Sequence, residues 1–258
     1  MQTVPLADTG LRLSRLGLGT VKLGRDQSVK YPVPFTLPTD DQARALLDRA
    51  RELGVTFIDT APAYGRSEER LGHLLGGRWD GWVLGTKVGE EFEDGKSHFD
   101  FSAAHARFSL ERSLRRLRRE TLDLVLIHSD GNDLEVLRQG VVDVLRERKQ
   151  AGVIRAWGIS TKTVEGGLEA VRAGADAVMV TYNLDARGEE PVLAAAQAAG
   201  RAVLVKKGLA SGHADPSASL RFVLAHPAVT SVVVGTLSPH HLADNVRHAD
   251  AAVSQTPG

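Results

Sequence analysis

Eight short, nearly all-apolar runs recur along the chain at a spacing of roughly 30 residues, the length of one strand–helix–strand unit. They cover residues 16–20, 55–59, 82–87, 122–128, 154–160, 177–182, 202–206 and 231–235. Segments of helical period lie between them, such as 40–53, with Ala43, Leu46, Leu47 and Ala50 on one face, and 103–119, with Leu110, Leu114 and Leu117. Thr39 and Ser102 stand where helix N-caps belong, and Gly54, Gly152, Gly174 and Gly200 stand where helices end. Strands that are apolar on both faces are parallel and covered on both sides. Eight such units in one chain predict a closed α/β barrel of the (β/α)8 TIM type, which needs ~250 residues.

The competing architecture, an open doubly wound sheet, needs a glycine-rich phosphate turn after its first strand. Gly17-Leu18-Gly19-Thr20 lacks the third glycine of that turn. Ahead of the first run, segments 3–6 and 11–14 flank Ala7-Asp8-Thr9-Gly10 and read as a β-hairpin. A hairpin cannot enter a parallel barrel, so it is expected to cap the end opposite the site. No linker or composition shift divides residues 1–258, which read as a single barrel domain.

Composition narrows the function classes. With 32 basic and 32 acidic residues the net charge is zero, so no global field favours nucleic acid or an anionic membrane as a partner. The absence of cysteine excludes disulfides, thiolate metal sites and a cysteine nucleophile. The N-terminus has no basic and apolar leader, so a cytoplasmic location is expected. His240, His241 and His248 lack carboxylate partners at ligand spacing, and no metal site is expected. The run Arg115-Arg116-Leu117-Arg118-Arg119 reads as a solvated helix face, and Trp79, Trp82 and Trp157 read as packing between barrel layers.

Two connections are long for this architecture, 22–38 and 88–101, and both follow strand C-termini, where such barrels build their sites. Each carries aromatic residues able to wall a pocket or to anchor its own loop. The strand ends are more specific. Asp59 closes the second run, Lys87 the third and His128 the fourth, and Tyr64 follows five residues after Asp59. Taken singly, each reads as a turn former or a surface residue. In a closed barrel they converge on one rim. A phenol titrates near ~10 and is a poor acid at neutral pH; an adjacent ammonium, held by a carboxylate, is expected to lower that value and make a tuned proton donor.

These residues resemble the aldo-keto reductases. The resemblance rests on Gly17-Leu18-Gly19-Thr20, on Phe57 through Gly65 with Ser67-Glu68, on Thr86-Lys87, on Leu122 through His128, on Gly158-Ile159-Ser160, and on Gly235 through Asn245. It runs collinearly over nearly the whole chain. It implies reduction of an aldehyde or ketone to an alcohol by a nicotinamide cofactor, with Tyr64 as general acid, Lys87 and Asp59 as its tuning pair, and His128 orienting the carbonyl. For the cofactor, NADP(H) with NAD(H) possible, it implies Gly19 and Thr20 near the ribose, Ser160 and Lys206 at the nicotinamide, Leu209 and Ser211 around the pyrophosphate, and Asp244 and Asn245 at adenine.

Three positions depart from the family's pattern. Thr161 stands where asparagine is common, Met179 where glutamine is common, and Lys206 where an aromatic side chain stacks on the nicotinamide. At the 2′-phosphate the turn offers Gly235, Thr236, Leu237, Ser238 and His241 without a lysine or arginine. A tenfold rather than larger NADPH preference is therefore expected. A second class stays open, a nicotinamide-binding regulatory module resembling the potassium-channel β-subunits of the same family. A monomer is expected. Beyond the last helical segment, which ends near Val253, only 254–258 follow, so an open cleft with broad specificity is expected, with 22–38 and 88–101 as its lids.

Overall fold

The structure, a computed structural model, describes residues 1–254. Strands β1 (Thr3–Pro5) and β2 (Arg12–Ser14) pair antiparallel. The barrel begins with β3 (Leu16–Gly19), β4 (Phe57–Asp59) and β5 (Val83–Val88). A second antiparallel hairpin, β6 (Glu90–Glu93) and β7 (Lys96–Phe99), interrupts it. Strands β8 (Leu122–His128), β9 (Ile154–Ser160), β10 (Ala177–Thr181), β11 (Ala202–Lys206) and β12 (Val229–Val234) complete it. All eight barrel strands pair in parallel, and β12 closes on β3. The eight expected strands are all present, with ends moved by a few residues. The second is shorter than expected, starting at Phe57, and the last starts earlier, at Val229.

Alternation along these strands creates two separate cores. Leu16, Leu18, Ile58, Leu84, Val125, Ile127 and Ile159 face outward and pack under the helices, together with Trp79, Trp82 and Trp157. Phe57, Leu124, Leu126, Ala156, Met179 and Leu204 face inward and pack with Leu6, Leu11 and Leu13 of the hairpin. The hairpin thus plugs the end at which the strands begin. Ser14 and Thr56 tie it there by reciprocal backbone-to-hydroxyl hydrogen bonds of 2.9 and 3.0 Å. Arg15 donates to the carbonyls of Val229 and Leu224 at the same end.

Filling the barrel depends on size matching between neighbouring strands. The Phe57 ring is fully buried beside Gly17 of β3 and near Gly85 of β5. A Cβ on Gly17 would lie 2.5 Å from that ring, and one on Gly85 would lie 3.0 Å from it. One large ring replaces the side chains of both neighbours.

The helices begin as their sequences imply. Thr39 and Gln42 form a reciprocal capping box on Asp40–Glu52, and the Ser102 hydroxyl accepts from His105 N at the start of Ala103–Leu117. The arginine run is not simply solvated. Arg116 pairs with Glu68 and Glu69, and Arg119 with the nearly buried Asp123, so half of the expected solvated face ties neighbouring elements together.

Candidate active site

The inward register that places Phe57, Leu126, Ala156 and Leu204 in the barrel core also aims Asp59, His128, Ser160 and Lys206 along the barrel axis at the strands' C-terminal ends. Lys87 reaches the same point from β5. It is 1% exposed and donates to Asp59 Oδ1 at 2.6 Å, to the Thr60 carbonyl at 2.9 Å and to Tyr64 Oη at 3.0 Å. Tyr64 ends the short turn Pro62–Tyr64, and its hydroxyl lies 3.4 Å from Asp59 Oδ2. The turn is held by a backbone crossing. A Cβ on Gly65, whose φ is +59°, would sit 2.3 Å from the Gly24 carbonyl oxygen, and a Cβ on Gly24 would sit 2.3 Å from that of Tyr64. The four expected catalytic residues therefore meet, with the Tyr64 and His128 rings edge to face at 6.2 Å.

The electrostatics differ from the sequence expectation at Tyr64. Burial, followed by the charge of Asp59, holds the phenol well above its ordinary range. Burial and the Asp59 carboxylate outweigh the Lys87 ammonium, so the phenol is not lowered as expected. The consequence is a phenol that stays protonated throughout the neutral range. His128 is pushed below its ordinary value by burial, against the pull of Glu90, whose carboxylate lies 2.8 Å from Nδ1. Burial alone would raise Glu90, but its contact with His128, with Ser97 and Arg25 adding to it, brings it down to about 2.

Every expected cofactor position lines one cleft with this cluster. Its volume is about 1110 Å³. Gly19, Thr20, Ser160, Lys206, Leu209, Ser211, Gly235, Thr236, His241, Asp244 and Asn245 all line it. Thr20 contributes shape alone, since its hydroxyl donates to the Asp59 carbonyl and accepts from Ser67. Asp244 pairs with His240 at 3.1 Å and Arg247 at 3.0 Å. Ser238 caps the last helix, Pro239–Ser254, by accepting from His241 N.

The lining fits an anionic dinucleotide. Seven lysines and arginines face four acidic residues there, so the cleft is positive in a chain without net charge. Gly19 and Gly235 put no side chain of their own between β3 and the end of β12, where Tyr31 Oη approaches. Lys207, Ala210 and Ser211 all hold positive φ, backbone strain of ~1–3 kcal/mol each that proteins retain at ligand-binding segments.

Lys206 is the main departure in the cleft. It donates to Ser160 Oγ at 2.8 Å and to the Thr161 carbonyl at 2.5 Å, and burial lowers it to about 8 despite the opposing charge of Glu189. Thr161 in turn donates to Glu189 at 2.8 Å.

Sequence reading named Tyr31 only as an aromatic able to wall a pocket or to anchor its loop, and it missed Glu90, which also lines the cleft. Glu90 stands on the β6–β7 hairpin, whose Asp94-Gly95 turn has φ of +49° and +78°. An Asp-Gly pair between two runs is a hairpin signal, and it could have found this element. Tyr31 reaches from segment 22–38 to Gly235, where a Cβ would meet its hydroxyl at 3.1 Å. Pro32 lies beside Gly212, and the Ser28 hydroxyl donates to the Gly95 carbonyl at 3.1 Å. The two long connections thus touch each other, and the first crosses the cleft.

A barrel whose strand-end rim joins a phenol, an ammonium, a carboxylate and an imidazole beside a positive cleft has the fold and site of a barrel oxidoreductase. The sequence profile of the Aldo/keto reductase family matches residues 15–217, and the chain belongs to that family. An aldo-keto reductase structure from Bacillus halodurans, AKR11C1 in its holo form, aligns with a TM-score of 0.83 at 25% identity over 100% of this chain and 97% of that one. A Pseudomonas aeruginosa structure assigned to the aldo-keto reductases aligns with a TM-score of 0.90 at 53% identity over 97% of this chain and 95% of that one. Among curated relatives, the Bacillus subtilis oxidoreductase YqkF is 28% identical over 97% of this chain and 92% of its own length. The aldo-keto reductase YhdN of the same organism is 34% identical over 75% of this chain and 57% of its own. Among the described residues no helix is long and apolar enough to cross a membrane.

Proposed function

We propose that the protein reduces an aldehyde or ketone to the corresponding alcohol with NADPH, or less readily NADH, and that Tyr64 is the general acid. The observation that carries this reading is the placement of Lys87 Nζ, which bridges Asp59 Oδ1 at 2.6 Å and Tyr64 Oη at 3.0 Å at the head of a dinucleotide-sized cleft. A bound reduced nicotinamide supplies hydride to the carbonyl carbon. Tyr64 holds the proton for the carbonyl oxygen, and Lys87 steadies the phenolate left behind. Asp59 keeps Lys87 charged and in place. His128 faces Tyr64 across the space where the carbonyl oxygen would sit, and its protonated ring orients that oxygen.

For the cofactor, Ser160 and Lys206 would frame the carboxamide, the strained segment 207–211 would hold the pyrophosphate, and the hydroxyls of Thr236 and Ser238 with His241 would receive the 2′-phosphate. Asp244 and Asn245 border adenine. A single barrel domain, acting as a monomer in the cytoplasm, accounts for this chemistry.

Lys206 favours a second reading, a nicotinamide-binding regulatory module with incidental turnover, because a lysine cannot stack on the ring as an aromatic does. Measuring loss of reduced-nicotinamide absorbance against a panel of aldehydes and ketones separates the two. Steady turnover at ~1 s⁻¹ or above supports the enzyme, whereas cofactor binding without turnover on any carbonyl sinks it.

A further inference from the structure

The strand-end imidazole has a partner outside the rim. His128 Nδ1 is turned to the Glu90 carboxylate at 2.8 Å, and the two side chains are only 19% and 11% exposed. The contact lies off the line of the ring N–H, so it acts as charge pairing more than as a straight hydrogen bond. Several features fix the carboxylate. Gly89, with φ +104°, turns the chain out of β5 at a point where a Cβ would lie 2.4 Å from the Phe101 ring. The hydroxyl of Ser97, across the hairpin, donates to the other Glu90 oxygen at 2.6 Å. The Arg25 guanidinium stacks on Phe92 at 3.4 Å and steadies the same hairpin.

A carboxylate accepts hydrogen bonds and cannot donate them. Beside Glu90, a neutral His128 therefore keeps its one N–H on Nδ1 and presents Nε2 as a lone pair. That nitrogen has no hydrogen-bond partner among the described residues, and His128 lines the cleft. A lone pair repels a carbonyl oxygen and attracts an alcohol hydroxyl. Only the doubly protonated ring donates to the carbonyl. The other groups around the ring are Lys87 from β5 and Lys206 from β11, both of which oppose its charge, and the Tyr64 ring edge. The Glu90 carboxylate supports it.

We infer that Glu90 is a positioning residue for carbonyl reduction: it assigns the resident proton to His128 Nδ1, so that Nε2 accepts from an alcohol when the ring is neutral and donates to a carbonyl when it is charged. Alcohol oxidation and carbonyl reduction then draw on opposite protonation states of one ring. The kinetic part rests on the reductase reading above; the proton assignment does not.

The experiment is a ¹⁵N nuclear magnetic resonance titration of the histidine rings from pH 5 to 9 in wild type, Glu90→Gln and Glu90→Asp, with His128→Asn to identify the signal. Carbonyl turnover is followed over the same range. Wild type is expected to carry its neutral-state proton on Nδ1. Glu90→Gln should move the titration to lower pH by about one unit or more, the effect of losing an opposite charge at this range, and Glu90→Asp should restore part of it. The acid-side rise in kcat should move with the titration. Ser97→Ala, which only loosens Glu90, should give a smaller shift in the same direction and serves if Glu90→Gln fails to fold. An unmoved midpoint, or a neutral wild-type ring protonated at Nε2, overturns the inference. Wild type that turns over no carbonyl refutes the reductase reading and leaves the ring titration as the deciding measurement here.

Discussion

Lys206 Nζ donates to Ser160 Oγ at 2.8 Å, which places a cationic side chain at the hydroxyl assigned to the nicotinamide carboxamide. With a value of about 8, Lys206 is mostly charged at neutral pH and loses its charge as pH rises toward 9. Oxidised nicotinamide is a cation and its reduced form is not. Wild type should therefore bind NADP⁺ more weakly than NADPH below pH ~8 and approach parity above it. A loss of about 1–2 kcal/mol, roughly five- to thirtyfold, follows for charges a few ångströms apart in a partly solvated cleft. Lys206→Met should remove the pH dependence. Fluorescence titration of both cofactors at pH 7 and pH 9 measures it, and equal dependence in the variant counts against the assignment.

Tyr64→Phe and Lys87→Met should separate chemistry from stability. Replacing the phenol removes the proton donor and leaves the Lys87–Asp59 pair intact, so turnover should fall by ~2–4 orders of magnitude with the melting temperature nearly unchanged. Removing Lys87 leaves the carboxylate of Asp59, 3% exposed, without its ammonium. That should cost about 3–5 kcal/mol of stability as well as activity. Steady-state rates beside thermal melts decide this, and a Tyr64→Phe variant retaining most of its activity would show that the acid is another group.

Coenzyme preference should be modest. The turn from Gly235 to His241 offers hydroxyls, a helix N-terminus and an imidazole, with no fixed cation, and the Thr236 and Ser238 hydroxyls accept backbone N–H groups. NADPH should be favoured over NADH by roughly tenfold, ~1.4 kcal/mol. Dissociation constants for both reduced cofactors test this. A preference of hundreds would point to Lys207, which also lines the cleft.

The barrel interior should resist a single added methyl. Gly17→Ala places a Cβ 2.5 Å from the Phe57 ring in a core with no free volume on that side. A loss of ~1–3 kcal/mol is expected, several degrees of melting temperature for a chain of this size. The double variant Gly17→Ala with Phe57→Leu should recover part of it. Additive losses would mean that the clash is not with Phe57.

The fold and most of the rim were legible because alternation is a strict rule. Once residues 57 and 126 are assigned inward, Asp59 and His128 follow two positions later, and strand order sets them on either side of Lys87. Loop residues obey no such rule. Glu90 reaches His128 only because a two-residue turn folds 90–99 back on itself, and Tyr31 reaches Gly235 only across an irregular strap. The phenol's electrostatics were misread for a different reason. Sequence places a lysine near a tyrosine, but it does not say that the carboxylate is nearer still or that lysine and carboxylate are both buried. The expectation of an open cleft rested partly on residues 255–258, which lie outside the described residues.

The crossing of Gly24 and Gly65 sets where this scaffold accepts transplanted loops. Segment 26–38 lies beyond it, so a graft with joints at those limits exchanges a wall of the cleft and leaves Tyr64 and the Glu90–His128 pair in place. A graft whose joint falls on Gly24 brings a side chain into a space already filled by the Tyr64 carbonyl and Ser67 N. It would dislodge the phenol without touching any residue that meets substrate, so substrate scope can be re-engineered here only from outside that backbone clasp.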